Sequence, residues 1–425
     1  MNSIAPYPLP EMATVRQRLY SAPITDASAA VTQTFSTVPI ADRTGAGDTV
    51  AVAVGSRGID HLTEVVRQCI RELKDHGLKP FIVPAMGSHG GGTADGQITV
   101  LSHLGITEAA MGAPIRADMA TVSMGRIQGD VRLYGAKDAY DADHLVVINR
   151  VNPHTKFSAP IESGICKMLT IGLGKVDGAT EFHRSAVHHG FGIIPEGASA
   201  IAETGNFLFG LALLEDGHGR LAEVSAVSPE GLVVEETQLL QKAATWMARI
   251  PFEPLDVLVV DVIGKHISGI GMDSNVTGRH RDVTGDFFTS PCVKRIFVRD
   301  LAPESDGNAN GIGLADVTTR RLVEAMDMEK TYVNAIAAIS LEKAAIPMHF
   351  DSDRRALEVC IRTAGCEDGR LARVVRIRDT KHLETLMVSR ALEPDLEDHP
   401  EVDRIGPWEM PDFNGDGNLA GFLDV

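Results

Sequence analysis

The residues best suited to chemistry in this chain are histidines and cations that stand just after apolar runs. His89 lies in "GSHGGG", residues 87–92, where glycines let backbone approach a ligand closely. His154 lies in "NPHTKF" and Arg57 in "GSRG". An imidazole exchanges protons near neutral pH. A guanidinium fork matches the two oxygens of a carboxylate. At each position a structural histidine or a surface arginine is the competing reading. The other notable stretch is "SGICKMLTIGLGKVDGATEFHR", which carries Lys167 and, sixteen residues later, His183, with Lys175 between them. Ser163 and Gly164 open it, and a helix starting there would offer backbone N–H groups to a phosphate. The stretch has neither the GxxxxGK[ST] of a phosphate-binding loop nor the GxGxxG of a dinucleotide fold.

Regular elements must position these groups. Thr49 to Val54 is a valine-rich apolar run that reads as a buried strand. Leu62, Val65, Val66, Cys69, Ile70 and Leu73 then share one helical face, between an N-cap at Asp60 and a stop at Gly77. "KPFIVPAMG" supplies the next strand, completing a βαβ unit with parallel strands, and "HLVVINRV" a third ending at Val151. Ligands of such sheets gather beyond the carboxyl ends of the strands. Arg57, His89 and His154 all fall at those ends, so the spacing delivers them to one rim.

The fold class expected is α/β, with two α/β domains of parallel or mixed sheets and the active site in the cleft between them. Prolines in "ARIPFEP" mark the connector. The expected division is 1–252 for the first domain and 253–395 for the second, with a turn-rich tail, 396–425, packing back on the first. Within the second domain, "LDVLVVDVIG" and "ARVVRIRD" read as strands, as does 331–339. Segments 318–326 and 381–391 read as helical. The polar loop from Gly264 to Asp282 follows the first of those strands and holds Asn275, Arg279 and Arg281.

Composition removes whole classes of function. The 425 residues carry a net charge of −17, which opposes a nucleic-acid partner. No run of 18 apolar residues is present, so no membrane span is expected, and the N-terminus lacks the basic and apolar regions of a signal peptide. Five cysteines without CxxC spacing fit a reducing cytoplasm better than a disulfide framework.

Taken in order, "VGSR", "GSHGGG", "NPHTKF", "SGICK" and His183 resemble the motifs of the nickel-pincer lactate racemase family of 2-hydroxy-acid racemases and epimerases. The resemblance is concentrated between residues 50 and 185. It implies an isomerase that inverts C2 of a 2-hydroxy acid. His89 and His154 would be its paired acid/base residues, and Arg57 would grip the substrate carboxylate. Lys167 would be the covalent tether of a pyridinium-3,5-bisthiocarboxylic acid mononucleotide, the nickel-pincer nucleotide. His183 would ligate the nickel, and Ser56, Ser163 and Gly164 would lie near the nucleotide. Enzymes that build this cofactor would be partners, alongside the small-molecule hydroxy acid.

The departures fall mainly on the substrate side. Val54 and Ser56 replace the aspartate and threonine of D-x-T-R, and SGICK replaces SGGxK. In "GMDSNVTGRHR", Asp273 and Asn275 match P-x-D-x-N-x-x-Q-x-x-K, while Gly278 and Arg281 replace its glutamine and lysine. A substrate other than lactate follows, larger or more polar, such as a sugar acid. Asn275, Arg279 and Arg281 would bind it, the two arginines at a second anionic group. Two other readings fit the same residues. One is a non-catalytic protein that binds or senses a hydroxy acid. The other is a divalent-metal lyase or hydrolase built on His183, His188 and His189, although their i, i+5, i+6 spacing is not that of HExxH.

Overall fold

A computed structural model describes residues 6–423 except 205 and 284. The chain forms two compact units, one of residues 20–247 and the other of the described parts of 1–19 and 248–425.

The elements used below are, in chain order, β1 (Met12–Gln17), α1 (Ala27–Phe35), β2 (Thr49–Val54), α2 (Leu62–Asp75), β3 (Lys79–Pro84), α3 (Ala94–His103), β4 (His144–Arg150), α4 (Lys175–His189), β5 (Phe207–Glu215), β6 (Leu221–Val227) and α5 (Leu232–Trp246). The 20–247 unit is built on one sheet of order β3-β2-β4-β5-β6. Its first four strands are parallel, and β6 closes it antiparallel to β5. Alternation along β2 explains why the strand reads as continuously apolar. Val50, Val52 and Val54 pack on α1 and α2, while Ala51 and Ala53 face the layer that contains Leu169, Leu173 and Phe182. The amphipathic face of α2 is buried at all six positions expected of it. Its cap differs from the expectation. His61 stands at the N-cap, and Asp60 instead accepts the Leu221 N–H at 3.0 Å.

The second unit continues with β7 (Leu255–Ile263), β8 (Val293–Leu301), β9 (Val317–Thr319), α6 (Met328–Ala337), β10 (Met348–Phe350), α7 (Asp353–Thr363), β11 (Val374–Ile377), β12 (Thr385–Ser389) and β13 (Val402–Arg404). Its sheet runs β10-β9-β8-β7-β11-β12-β1-β13. The chain's first strand therefore pairs with β12 and β13 in this sheet, whereas residues 1–252 were expected in the other domain. A strand of six residues records no partner in its own side chains.

Three further expectations are corrected. Residues 331–339, read as strand, lie mostly in α6, whose Asp327 cap accepts the Lys330 N–H at 3.0 Å. Residues 381–391, read as helix, hold β12, because cross-strand pairing to β1 and β11 outweighs local propensity. The tail stays on its own unit. Arg299 donates to the carbonyls of Gly421 (2.9 Å) and Leu419 (3.0 Å). The Leu423 N–H reaches Asp261 at 2.9 Å. Asp261 also pairs with Arg299 and Arg376, so a buried ionic network supplies the partners that a turn-rich segment needs. Among the described residues, no helix is long and apolar enough to cross a membrane.

Candidate active site

Three parallel strands end on one rim of the 20–247 unit. β2 is hydrogen-bonded to β3 on one side and β4 on the other, so their carboxyl ends are adjacent. The loop after β2 carries Ser56 and Arg57, that after β3 carries His89, and that after β4 carries His154. Ser56 Oγ lies 2.5 Å from His89 Nδ1, which joins two of these loops directly.

The third loop is shaped by a carboxylate. Glu162 accepts the backbone N–H of His154 at 2.6 Å and that of Ala159 at 3.0 Å, folding residues 154–162 into a closed turn. His154 stacks on Phe157 (centroids 4.5 Å apart), and Phe157 stacks on Phe191 at 3.9 Å. The backbone N–H of Lys156 donates to His154 Nδ1 at 3.0 Å. A backbone amide can only donate, so Nδ1 is an acceptor and the neutral ring carries its proton on Nε2. His89 differs, because a hydroxyl both donates and accepts and leaves either tautomer open.

Lys167 reaches the same cluster. Its Nζ lies 6.0 Å from the centre of the Phe157 ring. Desolvation, then the nearby cations Arg57 and Lys156, bring its pKa down to about 7, with Glu162 opposing. Its side chain is only partly buried, so water reaches it and the cations share in the effect. A good fraction of this amine is nonetheless neutral at pH 7, the state in which lysine acts as a nucleophile. Arg57 is exposed, yet its guanidinium pKa is also lowered, by desolvation first and by Arg150 second.

The turn that presents Lys167 is held from beneath. Gly164 has φ +148 and ψ −149, a conformation that glycine tolerates and other residues do not. A Cβ there would stand 2.5 Å from Glu236 Oε1. Glu236, on α5 and fully buried, accepts the Cys166 N–H at 2.9 Å. Desolvation raises its pKa to about 7, against hydrogen bonds from Cys166 and Ile165. The Cys166 N–H of this short helical turn is thus engaged by a carboxylate. Ser163 Oγ donates to Asn152 O at 2.6 Å and joins the same scaffold. Both residues shape the turn that leads into Lys167.

His183 stands partly buried on α4. Val176 and Ala179 lie seven and four residues before it on one helical stripe. Both face the glycine loop: a Cβ on Gly92 would meet Val176 at 2.8 Å and one on Gly87 would meet Ala179 at 3.3 Å. His183 therefore extends the stripe that packs against the loop of His89. His188 and His189 are exposed at the end of the helix, with His189 3.3 Å from Asp130. Among the described residues, no three His, Cys, Asp or Glu side chains gather as a metal-binding group.

The residues expected to bind substrate from the second unit are placed as follows. Arg279 is buried, and its guanidinium donates to Asp316 (2.6 Å) and to the carbonyls of Leu314, Val293 and Lys294 (each 3.2 Å). It is a structural pin, and the role expected for it at a second anionic group falls. Arg281 is exposed, 3.9 Å from Asp286. Asn275 is partly buried and donates to its neighbour Asp273 through both its backbone and its side chain.

Glu162, Glu236 and Phe157 were not singled out from sequence. Glu162 had a signal, as an acid set in the apolar run before Ser163. Glu236 had none, since it sits among other polar residues of a helix.

No family model matches the chain, and no curated protein matches it either. Among solved structures, the lactate racemase apoprotein from Thermoanaerobacterium thermosaccharolyticum is similar at 14% identity, covering 82% of this chain and 86% of that one, with a TM-score of 0.49. A likeness at that level carries no argument about chemistry, which rests on the side chains themselves.

Proposed function

We propose that the protein is a racemase or epimerase that inverts C2 of a 2-hydroxy acid, with a nickel-pincer nucleotide tethered to Lys167. The observation that carries this reading is the amine of Lys167, held near a pKa of about 7 beside Arg57 and close to Phe157, on which His154 stacks. A tether by acylation of lysine needs a neutral amine, and this environment supplies one. His183, on the helical face toward the His89 loop, is the residue that would ligate the metal. Ser163 and Gly164, which open the turn that Glu236 holds at Cys166, are the residues that would lie near the nucleotide.

When bound, such a group supplies a reversible hydride acceptor, which avoids forming a carbanion beside a carboxylate. The chain's own residues do the rest. Arg57 holds the substrate carboxylate through a charge-assisted fork. The hydroxyl proton must leave on one side of a planar intermediate and return on the other, which calls for two imidazoles. His154, with its proton on Nε2, starts as a donor. His89, backed by Ser56, is the other member of the pair: with Nδ1–H pointing to Ser56 Oγ its Nε2 is an acceptor, and in the other tautomer Nε2 is the donor. The stacked Phe157 and Phe191 rings give the Lys167 side an apolar wall.

With Arg279 withdrawn, a second anionic group of the substrate would fall to the exposed Arg281, and the substrate class stays at 2-hydroxy acid. Co-expression with the cofactor-making enzymes tests the reading. The expected result is an added mass on the peptide that contains Lys167 and one nickel per chain, lost in Lys167→Ala. Unmodified Lys167 under those conditions overturns it. The binding-protein reading is distinguished by tight hydroxy-acid binding in the loaded protein without inversion of C2.

A further inference from the structure

We infer that Lys175 and Gln97 form a buried strut that positions His89, by tying the loop that carries it to the segment between Lys167 and His183. The inference rests on the proposed acid/base role of His89 for its functional meaning, though not for its geometry. Both side chains are fully buried. Lys175 Nζ donates to the Pro84 carbonyl at 2.8 Å and to Gln97 Oε1 at 3.0 Å. Gln97 Nε2 donates in turn to the Gly87 carbonyl at 2.8 Å and, at the limit of 3.5 Å, to that of His89.

The direction of this chain is set by chemistry. An ammonium has no lone pair, so the amide atom facing Lys175 must be the oxygen. The amide NH2 is then left for the loop carbonyls, and each bond polarises the next. Two close approaches lock the same loop. The Gly87 N–H donates to Gly172 O at 3.0 Å, three residues before Lys175. Gly90, at φ +65, lies so near α3 that a Cβ on Gly96 would sit 1.8 Å from its carbonyl oxygen.

Lys175 itself has φ +52, a left-handed conformation uncommon for a side chain of its size. Such a conformation persists where surrounding contacts over-determine it, and the two bonds from Nζ are contacts of that kind. Lys175 stands eight residues from both Lys167 and His183. One side chain therefore couples the spacing of the proposed tether and metal ligand to the placement of His89.

The test uses the full chain without cofactor or substrate, so it is independent of whether the protein proves to be a racemase. Gln97→Glu keeps shape and gains a charge partner for Lys175, but loses the amide donors and sets an oxygen against the Gly87 carbonyl. Lys175→Met removes the donors at the other end, and Gln97→Asn retains the amide on a shorter stem as a milder variant. The readouts are histidine-selective 15N imidazole shifts, with His89 assigned by its loss in His89→Gln, and backbone hydrogen exchange of residues 86–92. We expect the His89 signals to move and exchange of that loop to quicken by about tenfold or more, with His154 signals unchanged. Wild-type His89 signals and wild-type loop exchange in any of the three variants that folds would overturn the proposal. Failure of all three to fold would also count against it, since a local strut is not a determinant of global folding.

Discussion

The carboxylate of Glu236 accepts the backbone N–H of Cys166 at 2.9 Å, one residue before Lys167. An acid on one helix thus fixes the turn that presents Lys167. Replacing it with leucine should leave the turn's N–H groups without an acceptor and destabilise the protein by about 1–3 kcal/mol. Glutamine should cost less, because its amide oxygen still accepts. Equilibrium unfolding of the two variants checks this order.

The same residue gives a pH dependence of definite sign. The folded pKa of Glu236 is raised from 4.5 to about 7, so between those values the folded state holds a proton that the unfolded state has released. Its contribution to stability is therefore fully present below about pH 4.5 and is lost as pH rises towards 7. The stability difference between wild type and Glu236→Gln should change across that window by up to roughly 3 kcal/mol. A difference that is flat with pH would show that Glu236 is not titrating there.

Lys167 should react with acylating reagents at a rate that is half-maximal near its pKa of about 7, whereas surface lysines lag by several pH units. Arg57→Gln removes the larger of its two named cationic neighbours, so the midpoint should move upward. Peptide mapping after brief labelling at a series of pH values reads both results.

Gly164→Ala should be strongly destabilising. It places a side chain at φ +148 and brings Cβ within 2.5 Å of Glu236 Oε1. A loss of about 2–4 kcal/mol is expected, with partial rescue in Gly164→Ala combined with Glu236→Ala. Thermal unfolding of the single and double variants measures that coupling.

Arg279→Met should lower stability by roughly 2 kcal/mol through the lost contacts to Asp316 and the backbone carbonyls. In the loaded protein it should leave the Michaelis constant for a hydroxy acid within about twofold of wild type. A large rise in that constant with stability unchanged would return Arg279 to the substrate.

Local patterning made the βαβ unit legible. Alternating Val and Ala in β2 and the apolar stripe of α2 each have a period that matches their element, and the glycine loops after β2 and β3 mark strand ends. Arg57, His89 and His154 could be brought to one rim on that basis alone. What supports them was not legible, because it comes from far along the chain. Glu236 meets Cys166 across seventy residues, and Lys175 meets Pro84 across ninety-one. For the same reason β1 was misplaced, since its partners lie near the other end of the sequence. Arg279 misled because a cation in a polar loop reads as a ligand contact, and only burial shows that Asp316 already holds it.

The most direct measurement of the central claim follows the hydrogen on C2. Cofactor-loaded protein is given single enantiomers of 2-hydroxy acids carrying deuterium at C2, in ordinary water, and the opposite enantiomer is analysed by mass and chirality. Inversion that returns the hydrogen from an internal acceptor predicts product that keeps its deuterium, with turnover abolished in Lys167→Ala. Product in which solvent hydrogen has replaced the deuterium, or the absence of inversion from protein that carries the Lys167 adduct, would contradict the account.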